Sequence, residues 1–143
     1  MCIRDSSMNG SRIVTGAQPI AALSISVFVA GIDSSSTNRA YQVAIYSDDA
    51  GRPGTLVASS APGTLIANAW NTRAISATLA PNSAYWLMYN TNGRTASVNN
   101  MRRDNGAANG GAYSSGAVPY GSWPATFGSS VLGPWSWSIY LSY

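Results

Sequence analysis

Side chains able to do chemistry are few in this chain of 143 residues. It contains no histidine, glutamate or lysine; its acids are five aspartates, its cations eight arginines, and its one cysteine is Cys2. A Ser-His-Asp triad would lack its base, and a zinc site would lack its usual imidazoles and thiolates. Glycoside hydrolysis by paired carboxylates would have to draw on Asp33, Asp48, Asp49 and Asp104. Adjacent Asp48 and Asp49 point to opposite faces of a strand, whereas in a turn they cap backbone amides. The residue set therefore points away from catalysis. Asp33, Asp48 and Asp49 are also the candidates for a structural calcium ion, which takes about six to eight oxygens. No ligand spacing singles them out, so turn capping is the favoured reading, and no other cofactor is expected.

Binding chemistry is better represented. Sugar rings present apolar C–H faces that stack on Trp or Tyr, while their hydroxyls pair with Asn, Asp or Arg. Tyr113, Tyr120 and Trp123 fall in a stretch, 104–133, where no alternation assigns them to a core. Arg102, Arg103, Asp104 and Asn105 precede them, and loops held by a rigid scaffold are where binding residues concentrate. Together these residues are expected to form an aromatic platform with polar edges. The alternative is that Trp123 and Phe127 plug one end of the fold. Trp70 is balanced between a buried anchor and an exposed platform. The expected ligand is a polysaccharide or cell-surface glycan, held by ring stacking and by charge-assisted hydrogen bonds from arginine.

The elements that would position these residues are strands. Leu23-Ser24-Ile25-Ser26-Val27-Phe28-Val29 places aliphatic residues at odd positions, and Tyr41 to Tyr46 repeats the pattern. Tyr85-Trp86-Leu87-Met88-Tyr89 is apolar on both faces, as in a strand covered on both sides. Near the C-terminus, Trp135, Trp137, Ile139, Leu141 and Tyr143 share one face, which reads as core. Weaker strands are expected at 12–15, 55–58, 72–77 and 96–100. Turn residues lie between them, in Asp48 to Gly54, Ala61-Pro62-Gly63 and Ala80-Pro81-Asn82-Ser83. Asn92-Gly93 is a hairpin signal. Many short strands with regular turns imply an all-β fold, an antiparallel two-sheet β-sandwich with jelly-roll-like connections and about eight or nine strands.

Charge excludes further classes. Charged residues are 9% of the chain and the net charge is +3, with Arg102-Arg103 the one adjacent basic pair. Nucleic-acid readers carry a denser basic stripe, so no nucleic-acid partner is expected. No apolar run approaches the roughly 20 residues that span a bilayer, and no membrane insertion is expected. Met1-Cys2-Ile3-Arg4-Asp5-Ser6 resembles a translated sequencing-library adapter. Residues 1–6 are therefore expected to be an artefact preceding a single module at 7–143.

Four segments in order carry a family resemblance: Tyr41 to Asp48, Gly51 to Ala58, Asn68-Ala69-Trp70-Asn71-Thr72, and Ala84 to Asn90. Their sequence of AIYSD, G-x-PGTL, WNT and YWL is similar to bacterial β-sandwich modules of the choice-of-anchor type. The resemblance implies an extracellular or cell-surface location, neighbouring domains in a larger parent protein, and no catalytic motif. It leaves two roles open, glycan binding and a structural spacer or adhesive module.

Overall fold

A computed structural model describes residues 7–143. The adapter-like hexapeptide Met1–Ser6 lies outside the described residues. Alternation produces strands throughout: β1 (Asn9–Val14), β2 (Ile20–Val29), β3 (Ala40–Asp49), β4 (Arg52–Ser59), β5 (Gly63–Thr64), β6 (Ala69–Leu79) and β7 (Ala84–Thr91). The second half is more broken, into β8 (Arg103–Asn105), β9 (Gly111–Ser114), β10 (Ser130–Gly133), β11 (Trp135–Trp137) and β12 (Ile139–Ser142). One 3-10 turn, Ser36–Asn38, is the helical content among the described residues.

The chain is an all-β, antiparallel sandwich. Its large sheet runs β10-β9-β1-β7-β3-β4, with β5 also paired to β3; the facing sheet is β12-β2-β6, and β8 pairs with β11 in a short ribbon. Twelve strands replace the expected eight or nine because the second half pairs in short pieces, split for instance at Ser138 between β11 and β12.

Two cores lie on opposite faces of the large sheet. Between the sheets, Ile25, Val27 and Val29 of β2 meet Val43 and Ile45 of β3 and Leu87 and Tyr89 of β7. On the other face, Ala44 and Tyr46 of β3 and Trp86 and Met88 of β7 pack with Met8, Ala112 and Phe127. Residues 115–129 cover this second core. Phe127 N–H donates to Gly54 O at 2.8 Å, Leu56 N–H to Ala125 O at 2.9 Å, and Tyr46 Oη to Pro124 O at 2.8 Å. The two-sided apolarity of β7 thus has a direct cause, one face toward each core.

Three local expectations are corrected. A bulge between Ala22 and Ser24 shifts the phase of β2, so Leu23 is exposed while Ala22 and Ile25 are buried. Residues 96–100 form no strand. Asn99 there is fully buried in the left-handed region at φ 58°, and its side chain satisfies Asp33 N–H at 2.8 Å and Asn38 O at 2.6 Å. Asn92-Gly93 closes no hairpin, because the Asn92 amide is drawn sideways to Ala40 N–H and Thr37 O. The β3–β4 turn is the tight one: Asp49 pairs with Arg52 across Ala50 and Gly51, at φ 50° and 84°, the dihedral signs of a type I′ turn.

Asp48 ties this turn to the second core. Its carboxylate accepts from Arg12 Nε at 2.7 Å, Trp86 Nε1 at 2.9 Å and Gly51 N–H at 2.9 Å. Desolvation alone would raise its pKa, but these donors prevail and hold the carboxyl below its ordinary value.

Asp48→Ala leaves the indole N–H of the buried Trp86 without a partner. The unfolding free energy from urea titration should fall by about 2–3 kcal/mol, against less than about 0.5 kcal/mol for Asp49→Ala on the exposed neighbour. Equal losses at the two positions would refute the role given to Asp48. Folded Asp48 has the lower pKa, so its stabilisation is fully present above about 3.8 and is lost as pH falls through the folded value. The melting temperature should drop with acidification below that point, and less steeply in Asp48→Asn.

Candidate functional site

The outer face of the three-stranded sheet carries an aromatic platform. On β6 the phase is set by Ile75 and Leu79, which are buried, so the even positions Trp70, Thr72, Ala74, Ser76 and Thr78 point outward. On β2 the outward residue next to Trp70 is its register partner Phe28, and on β12 it is Tyr140, opposite Ser26. Trp70 meets Phe28 edge-on at 5.6 Å between centroids and Tyr140 at 4.9 Å. Trp70 is 50% exposed and Tyr140 45%. Ser26 and Thr72 hydroxyls join at 2.7 Å in the neighbouring row. Ring faces and hydroxyls thus share one uncharged stretch of strand, locked by sheet hydrogen bonds.

A polar cleft lies along the short β8–β11 ribbon. Backbone at Arg102, just before β8, bridges β2 and the break between β11 and β12: Arg102 N–H donates to Phe28 O at 3.2 Å, Ser138 N–H to Arg102 O at 2.8 Å, and Phe28 N–H to Ser138 O at 2.9 Å. Beyond this junction Arg103 pairs with Trp137 and Asp104 with Ser136. Directly opposed residues share a face, so Arg103 turns toward the indoles while Asp104 turns to the other side. The Arg103 guanidinium lies over Trp135 at 5.3 Å and over Trp137 at 5.6 Å, a cation–π stack that fixes a side chain otherwise free to wander. Tyr113 leans on Trp135 at 5.5 Å. Arg103, Asp104, Asn105 and Trp135 line an open cleft of about 400 Å³. A second cleft, of about 280 Å³, opens at the other end of β2 with mainly aliphatic walls, among them Ile13, Ile20, Ile139 and Leu141.

The residues singled out from the sequence therefore divide. Tyr113, Arg103, Asp104 and Asn105 come together around Trp135, Arg102 lies opposite Phe28, and Trp70 is exposed. Tyr120 and Trp123 do not join them. Trp123 packs on Tyr46 at 6.3 Å against the second core, and Tyr120 Oη reaches Tyr41 O at 3.4 Å. Burial raises the Tyr120 phenol pKa. Both belong to the covering segment over the large sheet, the other side of the molecule from the platform. Trp123 sits there because the apolar face of Tyr46, Trp86 and Met88 needs large side chains to exclude water.

Phe28, Tyr140 and Trp135 are the site residues that sequence reasoning passed over. The signal for the first two was present: each occupies the polar phase of its alternation. Trp135 packs against the inter-sheet core, as its alternation implies, but is only partly buried and also lines the cleft where β11 pairs with β8.

Asp33, Asp48 and Asp49 do not converge. Asp48 is engaged as described, and Asp33 accepts from Ser35 N–H at 2.8 Å, the main cause that lowers its pKa. Asp49 is exposed in the β3–β4 turn. Among the described residues, no three of His, Cys, Asp or Glu gather as a metal-binding group. Comparison of the chain with protein-family models, curated protein sequences and solved structures returned no match.

Trp123→Ala should destabilise the fold by about 3 kcal/mol while leaving the platform and cleft intact. Trp123 Nε1 is buried without a hydrogen-bond partner, so Trp123→Phe should cost less than about 1.5 kcal/mol. Thermal and urea unfolding of the two variants check this; an Ala variant as stable as wild type would remove Trp123 from the core.

Proposed function

We propose that this chain is a non-catalytic module that binds polysaccharide or glycan at the cell surface or outside the cell, within a larger parent protein. The observation that carries the reading is the ring cluster of exposed Trp70 and Tyr140 with half-buried Phe28, on an uncharged, hydroxyl-bearing sheet face. Aromatic faces left in water at this density are costly unless something covers them. A partner with apolar C–H faces and many hydroxyls matches both halves of the surface. The location and parent protein follow from the resemblance to choice-of-anchor-type modules, which rests on the four segments quoted above.

Absence of catalysis is supported by the residue set. With no histidine, glutamate or lysine, general acid and base would have to come chiefly from the aspartates. Asp48 and Asp33 are occupied by turn and core hydrogen bonds, and Asp104 has no second acid beside it in the cleft lining.

One feature favours a spacer or adhesive role as the second reading. Strand β6 has eleven residues and ends the three-stranded sheet, with Arg73 its one charge and no proline. Such an edge is a template for pairing with another chain.

A glycan array and insoluble-polysaccharide pull-down separate the two. Trp70→Ala should weaken glycan binding at least about tenfold, some 1.4 kcal/mol, with the melting temperature unchanged. Retention of full affinity would move the site off the platform. Failure of the wild type to bind across the array, with concentration-dependent association abolished by Ser76→Pro, would establish the adhesive reading instead.

A further inference from the structure

Four Asn-Gly dipeptides punctuate this chain, at Asn9, Asn92, Asn105 and Asn109. Glycine has no side chain to shield its amide nitrogen and is the most mobile residue of a backbone, so in an unfolded chain that nitrogen reaches the preceding carboxamide. Gly N bonds to Asn Cγ, the Cγ–Nδ2 bond breaks, and ammonia leaves with the amide proton. Water then opens the cyclic imide. Attack at the former side-chain carbonyl gives aspartate; attack at the former main-chain carbonyl gives isoaspartate, whose backbone runs through Cβ and Cγ. Nothing but water is consumed. In a folded chain the rate depends on whether the carboxamide can swing over the next peptide, and so on local opening.

The fold treats the four pairs differently. Asn9 is 4% exposed on β1, opposite Tyr89 on one side and Tyr113 on the other, so it reacts only when the large sheet opens. Asn92 has its carboxamide held at both ends, Oδ1 accepting from Ala40 N–H at 2.9 Å and Nδ2 donating to Thr37 O at 2.8 Å. Asn105 is exposed, but it lies in β8 opposite Trp135, and Gly106 N–H is tied across the ribbon to Pro134 O at 3.0 Å. Asn109 is exposed in the turn between β8 and β9, where Gly110 N–H makes a local bond to Ala107 O at 2.9 Å. Its φ of 58° is a left-handed conformation that extended backbone outcompetes once the turn loosens.

We infer that Asn109-Gly110 is a site of spontaneous deamidation and isoaspartate formation in the native protein, and that the fold protects the other three pairs. The change replaces a neutral amide by a carboxylate. In isoaspartate it also adds a main-chain carbon directly before Gly110, whose carbonyl accepts Arg12 N–H at 2.9 Å. Ageing of the protein therefore loosens the tie between the β8–β9 turn and β1.

The test incubates the intact chain in mildly alkaline buffer, where loss of the amide proton speeds the attack. Fragment-ion mass spectrometry then follows the amide-to-acid mass gain at each pair. A parallel sample in concentrated urea gives the unfolded rates, which should be similar at all four. In the native protein Asn109 should convert at least about tenfold faster than Asn105 and about a hundredfold faster than Asn9. Isoaspartyl methyltransferase should label the aged chain, and Asn109→Gly, which suits the positive φ, should remove most of that label with the melting temperature unchanged. Native conversion led by another pair, equal native rates at all four, no conversion at Asn109, or a label that survives Asn109→Gly overturns the inference.

Discussion

Strand β7 buries both of its faces, and the rest of the molecule is arranged around that requirement. Leu87 and Tyr89 point into the space between the sheets, while Trp86 and Met88 point the other way. A central strand of this kind needs cover on two sides, because each face left in water would forfeit about 25 cal/mol for every Å² of apolar surface. The three-stranded sheet covers one side. Segment 115–129 covers the other, using Trp123 and Phe127 as the large side chains and borrowing backbone partners from β4. Asp48 is the polar counterpart of this arrangement, since it satisfies the indole N–H that burying Trp86 takes away from water.

That division also decides which sheet face is left uncovered among the described residues. The outer face of the large sheet is spent on the second core, so its aromatics are structural even where they lie in irregular chain. Among the described residues, nothing covers the outer face of the three-stranded sheet, and the aromatics there are on strands. Side chains held by sheet hydrogen bonds lose little further entropy when a ligand arrives, which favours a strand-borne platform over a loop-borne one. The cleft extends this logic. Arg103 is exposed, yet the two indoles beneath it restrict its position, and the backbone junction at Arg102 fixes the whole segment relative to Phe28.

Much of this was legible in the residues. Period-two alternation specifies strands through Tyr46, and again from Tyr85 and from Trp135, because successive side chains on a strand must face opposite ways. The two-sided apolarity of 85–89 announces a strand covered twice. The phases of β2, β6 and β12 also contain the platform: Phe28, Trp70 and Tyr140 each stand among the small polar residues of their strands. The absence of histidine and glutamate limits catalysis whatever the fold. Where alternation lapses, the residues alone carry no face assignment, and Tyr113, Tyr120 and Trp123 look equivalent although Tyr113 leans on Trp135, Tyr120 reaches the backbone at Tyr41 and Trp123 covers the second core.

The sequence by itself therefore determined the class of structure, the inward and outward sides of the regular strands, and the kind of chemistry open to the surface. These are local properties, set by side-chain alternation and by which functional groups exist. Only the tertiary structure decided that segment 115–129 folds over the large sheet, that Arg103 rests on Trp135 and Trp137, and that Arg102 meets Phe28 across more than seventy intervening residues. Such contacts depend on which sheet face lacks cover and on which strand edges lack partners, and those are properties of the assembled sheets.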